Sequence, residues 1–134
     1  MITYRNDRPI SVDEFIDVLN RSTLAERRPV QSRERIAKML QHGNVLVTAW
    51  DGERLVGVSR ALTDFSFCCY LSDLAVDEAY QKKGIGKELI RLTHEVAGDD
   101  VMLMLLAAPK AVGYYPKIGM QKFPECFIIP RKNN

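Results

Sequence analysis

The stretch that most constrains the fold is residues 71–90, which predict an apolar strand, a turn with two glycines and an amphipathic helix. Glycine has no Cβ, so the backbone at Gly84 and Gly86 can adopt positive φ and approach a ligand closely. A helix that begins at such a turn directs unpaired N–H groups and the positive end of its dipole at that point. We therefore expect an anion site there, and a phosphate group suits it best. Three lysines add positive charge, Lys82, Lys83 and Lys87.

The spacing of the glycines excludes two well-known nucleotide loops. It does not match the G-x-x-x-x-G-K-[ST] pattern of nucleoside triphosphatases or the G-x-G-x-x-G pattern of dinucleotide-binding domains. The pattern present is Gln-x-x-Gly-x-Gly, at Gln81, Gly84 and Gly86. The alternative interpretation is an ordinary strand-to-helix connection with a solvated lysine face.

The composition indicates one soluble globular domain over residues 1–134, with 46% apolar and 27% charged residues. The net charge of +2 is too small to indicate a nucleic-acid partner. No apolar run approaches the roughly 20 residues of a membrane span, and the N-terminus lacks the apolar region of a signal peptide. We therefore expect a cytoplasmic protein with no membrane partner.

The three cysteines predict neither a disulfide framework nor a zinc site, because their number is odd and no CxxC spacing occurs. Cys68 and Cys69 should face opposite sides of a strand as small packing residues. We expect no metal site, and a reducing compartment fits this cysteine usage.

Periodicity, capping and turn signals predict the order of the elements. Ser11 and Glu14 form a capping box at the start of a helix, and Asp51-Gly52 is a strong hairpin signal. Strands are predicted at residues 2–5, 45–50, 54–62, 68–76, 101–107 and 123–129, and helices at 11–21, 32–43, 85–97 and 108–118.

The central part of this prediction is an antiparallel meander of the three strands within residues 45–76. The apolar run 101–107 should be buried on both faces and lie parallel to residues 71–76 through a right-handed crossover. Residues 22–31 are predicted to form a loop. The helix at 108–118 should be interrupted at Pro116.

A second block of sequence, residues 111–120, reads Ala-Val-Gly-Tyr-Tyr-Pro-Lys-Ile-Gly-Met. It resembles the A-x-x-F-Y-x-K-x-G-F block of the GNAT superfamily of acetyl-CoA-dependent N-acetyltransferases, and the Gln81–Gly86 pattern resembles that family's pyrophosphate loop. Tyr114 replaces the family's Phe and Met120 its final Phe. The resemblance implies a mixed α+β fold with a mostly antiparallel sheet of six to seven strands, about four helices and a splayed parallel strand pair.

The resemblance also implies how acetyl-CoA, as co-substrate, would bind. Backbone groups of Leu74, Ala75 and Val76 would pair with the pantetheine arm as if it were another strand. An N–H near Val76 would polarise the thioester oxygen. Backbone N–H groups of the turn would hold the pyrophosphate, from Gln81, Lys82, Lys83, Gly84, Ile85, Gly86 and Lys87.

Two candidate catalytic residues follow from the same resemblance. Tyr115 occupies the position of the family's tyrosine, whose phenol could protonate the leaving thiolate of coenzyme A. Asp73 is the candidate base near the coenzyme strand, although it could equally hold a loop by accepting N–H bonds while a water chain takes the proton. Packing roles are the alternative for Tyr115 and the favoured role for Tyr114. The Asn that the family often has after the parallel strand is absent here, where residues 107–109 are Ala-Ala-Pro.

The predicted activity is transfer of an acetyl group from acetyl-CoA to a primary amine, with a small molecule favoured over a protein as acceptor. A non-catalytic acyl-CoA sensor is the alternative, and a nucleic-acid-binding domain is disfavoured because the basic clusters lack interleaved aromatics. Arg27, Arg28 and Arg33 lie where this fold usually overhangs the acceptor, but a solvated charged face is the favoured interpretation. A homodimer is left open.

Overall fold

A five-stranded mixed sheet forms the centre of the protein in this computed structural model, which describes residues 1–133. The strands lie in chain order, and the first four pair antiparallel while the fifth lies parallel to the fourth. This confirms the predicted meander and the parallel orientation of the fifth strand, which pairs with residues 68–70 rather than with residues 71–76. The strands are β1 (Ile2–Arg5), β2 (Val45–Asp51), β3 (Arg54–Thr63), β4 (Cys68–Val76) and β5 (Met102–Met104).

Helices cover both faces of this sheet. They are α1 (Val12–Ser22), α2 (Arg33–His42), α3 (Ile85–Ala97) and α4 (Tyr114–Lys117), with short 3₁₀ turns at Leu24–Arg27, Glu78–Tyr80 and Pro109–Ala111. The predicted capping box is present, because Ser11 Oγ accepts the N–H of Glu14 and the Glu14 carboxylate accepts the N–H of Ser11. Among residues 1–133, no helix is both long and apolar enough to span a membrane.

The hydrophobic core has two layers, one on each side of the sheet. On one side Phe15 and Leu19 of α1 and Ile36 of α2 pack against Trp50. On the other side α3 packs against β2 and β3. At Gly57 of β3 an added Cβ would lie 3.1 Å from the Leu89 side chain, so the helix packs closely on the sheet and Leu89 would have to shift by a few tenths of an ångström to admit alanine. Each large apolar side chain buried this way contributes roughly 1.5–3 kcal/mol.

A β-bulge in β4 determines which of its side chains face each layer. Arg60 of β3 pairs with Asp73 and the next residue, Ala61, pairs with Leu71, so Ser72 is an extra residue. In a regular strand Cys69 and Ala75 would point to the same face, because their positions differ by six, an even number. Here Cys69 packs in the α3 layer and Ala75 in the layer of α1 and α2. Asp73, two residues before Ala75, therefore faces α1 and α2.

At this bulge a buried ion cluster links four parts of the chain. Asp73 is 0% exposed, and its two oxygens accept the Nε–H groups of Arg28 and of Arg60, the latter at 2.5 Å. Arg60 also donates to the Met39 carbonyl at 2.9 Å and to Ser72 Oγ at 3.1 Å. The cluster therefore fixes the α1–α2 connection and the end of α2 against β3 and β4.

The predicted strand at residues 123–129 is wrong, and the sheet has five strands rather than six or seven. The Cys126 N–H donates to the Phe123 carbonyl, so Pro124 and Glu125 form a turn instead. Alternating apolar residues form a strand only where a neighbouring edge pairs with them. In this structure Phe127 and Ile129 are exposed.

The strand predicted at residues 101–107 is shorter and less buried in the structure than expected. The strand covers Met102–Met104, with Met102 exposed and Leu103 and Met104 half-buried. An apolar run shows that a segment avoids water, but it does not determine how many residues join the ladder. The predicted helix at 108–118 is broken at Val112 and Gly113 and not at Pro116, which lies in the first turn of α4, where its missing N–H costs no helical hydrogen bond.

Replacing Asp73 with Ala should lower the free energy of unfolding by about 3–5 kcal/mol, because it leaves the Arg60 guanidinium buried without a counter-charge. Urea denaturation followed by circular dichroism measures this change. The matched control is Asp13→Ala, which removes an ion pair with Arg33 whose two side chains are exposed and should cost under about 1 kcal/mol. Equal losses in the two variants would contradict the structural role of the cluster.

Candidate active site

The site begins at the free edge of β4. β5 pairs with β4 only from Cys68 to Tyr70, so among residues 1–133 no strand pairs with that edge between Leu71 and Val76. This is the splayed parallel pair that the family resemblance of the sequence implies. Unpaired backbone N–H and C=O groups on such an edge can accept an extended ligand as an added strand.

The free edge leads into the glycine turn. Lys82 and Gly84 both have left-handed backbones, with φ of 65° and 83°, and Gly84 is the N-cap of α3 without a side-chain cap. The first N–H groups of α3 therefore point out of the helix without helical partners. Lys82, Lys83 and Lys87 are exposed around them. Together these groups form the positively charged end of a helix that an anion would bind.

Gln81, whose backbone N–H is predicted to contact the coenzyme, uses its side chain to hold the turn to the strand. Its side-chain amide donates to the Val76 carbonyl at 3.0 Å. This contact closes the turn over the end of β4. Among the polar groups of the turn, backbone N–H groups and lysines thus remain available to a ligand.

Asp77 anchors the start of the turn from the opposite side. Its N–H donates to Val56 at 2.8 Å, and its carboxylate accepts the N–H of Ala79 and the guanidinium groups of Arg21 at 2.5 Å and Arg54 at 3.2 Å. Burial alone would raise the pKa of Asp77, but the Ala79 N–H and the two arginines more than offset it and hold that pKa below its usual value. The carboxylate is therefore charged at neutral pH, and the turn is fixed to α1 and β3.

Tyr114 of α4 reaches the first turn of α3. A Cβ added at Gly86 would lie 3.1 Å from the Tyr114 hydroxyl, so glycine at this position makes room for the phenol. Burial raises the pKa of Tyr114, while a hydrogen bond from the Lys87 N–H lowers it in part. The sequence prediction gave Tyr114 only a packing role, because nothing in the sequence places α4 against the start of α3.

Tyr115 lies beside Tyr114 and is half-buried. The two rings meet edge to face, with centroids 5.2 Å apart and planes at 76°. Burial, and after it the neighbouring Tyr114, raises the pKa of the Tyr115 phenol above its ordinary value. The phenol is therefore protonated at neutral pH, which a proton donor requires.

A cavity of about 310 Å³ adjoins the anion site between α3 and α4. Its walls combine Gly84, Lys87 and Arg91 with the apolar side chains of Ile118 and Met120. The Glu88 carboxylate also lies in the wall and pairs with Arg91, so Lys87 supplies the unpaired positive charge of the lining. Basic and apolar groups together suit a nucleotide, since the phosphates need positive charge and the base needs an apolar surface. The residues present thus fit the adenosine diphosphate part of a coenzyme A molecule.

Asp73 does not lie in this open site. Its carboxylate is fully buried and is held between Arg28 and Arg60 on the face of α1 and α2. A general base must be within reach of the proton that it takes, and these contacts leave its oxygens occupied. Among residues 1–133, no group of three or more His, Cys, Asp or Glu side chains could hold a metal ion.

A model of the acetyltransferase (GNAT) family matches residues 12–120 of the chain. The chain belongs to this family. Members generally use acetyl-CoA, and the family model includes both the glycine turn and the Tyr114–Tyr115 block. The family assignment thus agrees with the fold described above.

Individual relatives support the same assignment. The histone acetyltransferase TAP1 of Glycine max is 35% identical over 75 residues, which cover 54% of this chain and 32% of that protein. GCN5-related N-acetyltransferase 2, chloroplastic, of Arabidopsis thaliana is 33% identical over 82 residues, which cover 56% of this chain and 32% of that protein. The chain therefore spans about a third of the length of these curated relatives.

The fold also matches a solved structure over almost its whole length. A Staphylococcus aureus protein described as a probable acetyltransferase superposes with a TM-score of 0.78 at 23% identity, covering 98% of this chain and 99% of that chain. At this identity the match supports the fold alone.

Replacing Gly84 with Glu should abolish measurable acetyl-CoA binding, because the new carboxylate lies at the start of α3 and repels the pyrophosphate. Isothermal titration calorimetry measures the affinity. Gly52→Glu is the matched control, since Gly52 also has positive φ and open space around its Cα but lies in the β2–β3 hairpin. Both variants carry a left-handed strain of roughly 1–2 kcal/mol, so equal coenzyme affinity in the two would contradict the assignment of the site.

Proposed function

We propose that residues 1–134 form one N-acetyltransferase domain that moves an acetyl group from acetyl-CoA to a primary amine by direct transfer. The observation that supports this most is the free edge of β4 leading directly into the left-handed turn at the start of α3. One surface can thus hold an extended arm and a pyrophosphate together. Holding two reactants in fixed positions is the main source of rate in such a transfer.

In this proposal the backbone does most of the coenzyme binding. Leu74 and Val76 offer backbone hydrogen bonds along the free edge, while Ala75 between them pairs with Val58 of β3. The N–H groups that begin α3 hold the pyrophosphate. The Val76 carbonyl already accepts the Gln81 amide, so its N–H is left to hold the part of the arm next to the pyrophosphate. The thioester then lies farther back along the free edge, toward the bulge at Ser72, where a backbone N–H would polarise its oxygen. The exposed lysines of the turn add a smaller electrostatic contribution that salt screens.

The reaction that we propose forms an N–C bond to the acceptor and breaks the C–S bond of the thioester. Tyr115 donates its phenolic proton to the departing thiolate, and its raised pKa keeps that proton in place beforehand. The proton of the new ammonium group leaves through water. Asp73 is not assigned as the base, because two guanidinium groups occupy its carboxylate.

The acceptor that we propose is a small amine. The relative named as a histone acetyltransferase acts on a protein according to its name, but the chain spans 32% of that relative, so its acceptor is not transferred to this chain. A cytoplasmic location remains part of the proposal. Incubation with acetyl-CoA and a panel of amines, followed by detection of free thiol, separates an enzyme from a non-catalytic acyl-CoA sensor, which would bind the coenzyme without releasing thiol.

Tyr115→Phe should lower the turnover number by about 10²–10⁴-fold, the usual contribution of a positioned acid. The ring and its packing remain, so the affinity for acetyl-CoA should change little. Steady-state kinetics with the best amine of the panel measure both parameters.

Tyr114→Phe is the control for this experiment, because it removes the neighbouring hydroxyl from the same pair of rings. That hydroxyl contacts the start of α3, so its loss should change acetyl-CoA affinity and leave turnover near the wild-type value. Full turnover in Tyr115→Phe, or a larger loss of turnover in Tyr114→Phe, would overturn the assignment of Tyr115 as the acid.

A further inference from the structure

The buried cluster at the bulge of β4, composed of Arg28, Arg60 and Asp73, contains more positive than negative charge. Two guanidinium groups share one carboxylate, so the cluster has a net charge of +1. Among residues 1–133, neither arginine forms an ion pair with any other carboxylate. A buried or partly buried charge is stable only with a counter-charge or full hydrogen bonding.

The unbalanced charge is located on Arg28. The Arg60 side chain is 7% exposed and directs all three of its nitrogens at Asp73, Met39 and Ser72. The Arg28 side chain is 21% exposed. Arg28 donates one N–H each to Asp73, to the Arg27 carbonyl and to the Ser72 carbonyl. A guanidinium has five N–H groups, so two N–H groups of Arg28 have no acceptor within the described part of the chain.

Arg28 also lies beside the place where the reaction proposed above would occur. The anion site is at the C-terminal end of β4, so an arm that follows the free edge runs back from Val76 toward Leu71. Its reactive end then falls near the bulge at Ser72, whose carbonyl is 2.7 Å from Arg28 Nη2. Arg28 reaches this point from the α1–α2 connection, on the face away from α3.

We propose that the acceptor is a small amine that carries a carboxylate, and that Arg28 is the specificity-determining residue that recognises it. This inference rests on the proposed function and names its substrate class. The excess charge repels a purely cationic acceptor such as a diamine, and the remaining N–H groups match the planar oxygens of a carboxylate. Asp73 and Ser72 hold the guanidinium in place before the acceptor arrives, so little conformational entropy is lost on binding.

The test compares amines that differ only by a carboxylate. The pairs are glycine with methylamine, β-alanine with ethylamine, and lysine with cadaverine. Thiol release at saturating acetyl-CoA gives kcat/KM for each, and calorimetry in the presence of coenzyme A gives the affinity without requiring turnover. In at least one pair the carboxylate-bearing amine should be favoured by about tenfold or more in both measurements.

Arg28→Gln should reduce this preference to within about twofold, since the neutral amide cannot form a charge-assisted pair, while the KM for acetyl-CoA stays near the wild-type value. Arg28→Lys, which keeps the charge but not the planar fork, should retain part of the preference. Arg27→Gln is the matched control, because it removes the same charge from the adjacent exposed residue and leaves its backbone carbonyl in place. The preference should persist in this control.

Two outcomes would overturn the proposal, and both can be read from folded protein. One is that the wild-type chain shows no preference for the carboxylate-bearing amine in any of the three pairs. This result decides the matter even where Arg28→Gln does not fold. The other is a carboxylate preference that survives in Arg28→Gln. Carboxylate-dependent binding without thiol release would instead support the recognition site and contradict the acetyltransferase activity, so the two proposals fail separately.

Discussion

The structure depends on β4 having one paired edge and one free edge. β3 pairs with β4 along most of its length, while β5 leaves it after Tyr70. An unpaired edge is ordinarily a weakness of a sheet, and here Asp73 holds the exposed strand from the side through two guanidinium groups. The buried charges, which cost desolvation energy, therefore lie where β4 is no longer paired with β5.

At the end of β4, too, some polar groups hold the structure together and others stay accessible to a ligand. Three side chains around the turn form hydrogen bonds to other parts of the protein: Asp77, Gln81 and Tyr80. The Tyr80 hydroxyl donates to Asp51 at 2.5 Å. Of the N–H groups at the start of α3, that of Lys87 donates to the Tyr114 hydroxyl, and those before it are left for a ligand. Because the supporting contacts come from α1 and the β2–β3 hairpin, the geometry of the turn is set by parts of the chain that lie far away in sequence.

Local signals made the centre of this fold predictable. The Ser11–Glu14 capping box and the Asp51-Gly52 hairpin act over a few residues, and the structure contains both elements. The C-terminal strand was mispredicted because strand formation at residues 123–129 depends on a partner edge and not on local preference. The ion cluster was not predictable either, since Arg28, Arg60 and Asp73 are far apart in sequence and meet only after the bulge turns Asp73 toward α1.

The extra residue in β4 divides the strand into two halves whose corresponding side chains point to opposite faces of the sheet. Residues before Ser72 and residues after it use the same alternation but point their odd-numbered side chains into different layers. Deleting this one residue would leave all the other residues of β4 unchanged. It would nevertheless turn the side chains of one half of the strand to the opposite face of the sheet. Chain length at this position is therefore under tighter constraint than residue identity, and homologous sequences would tolerate substitution at Ser72 more readily than a gap.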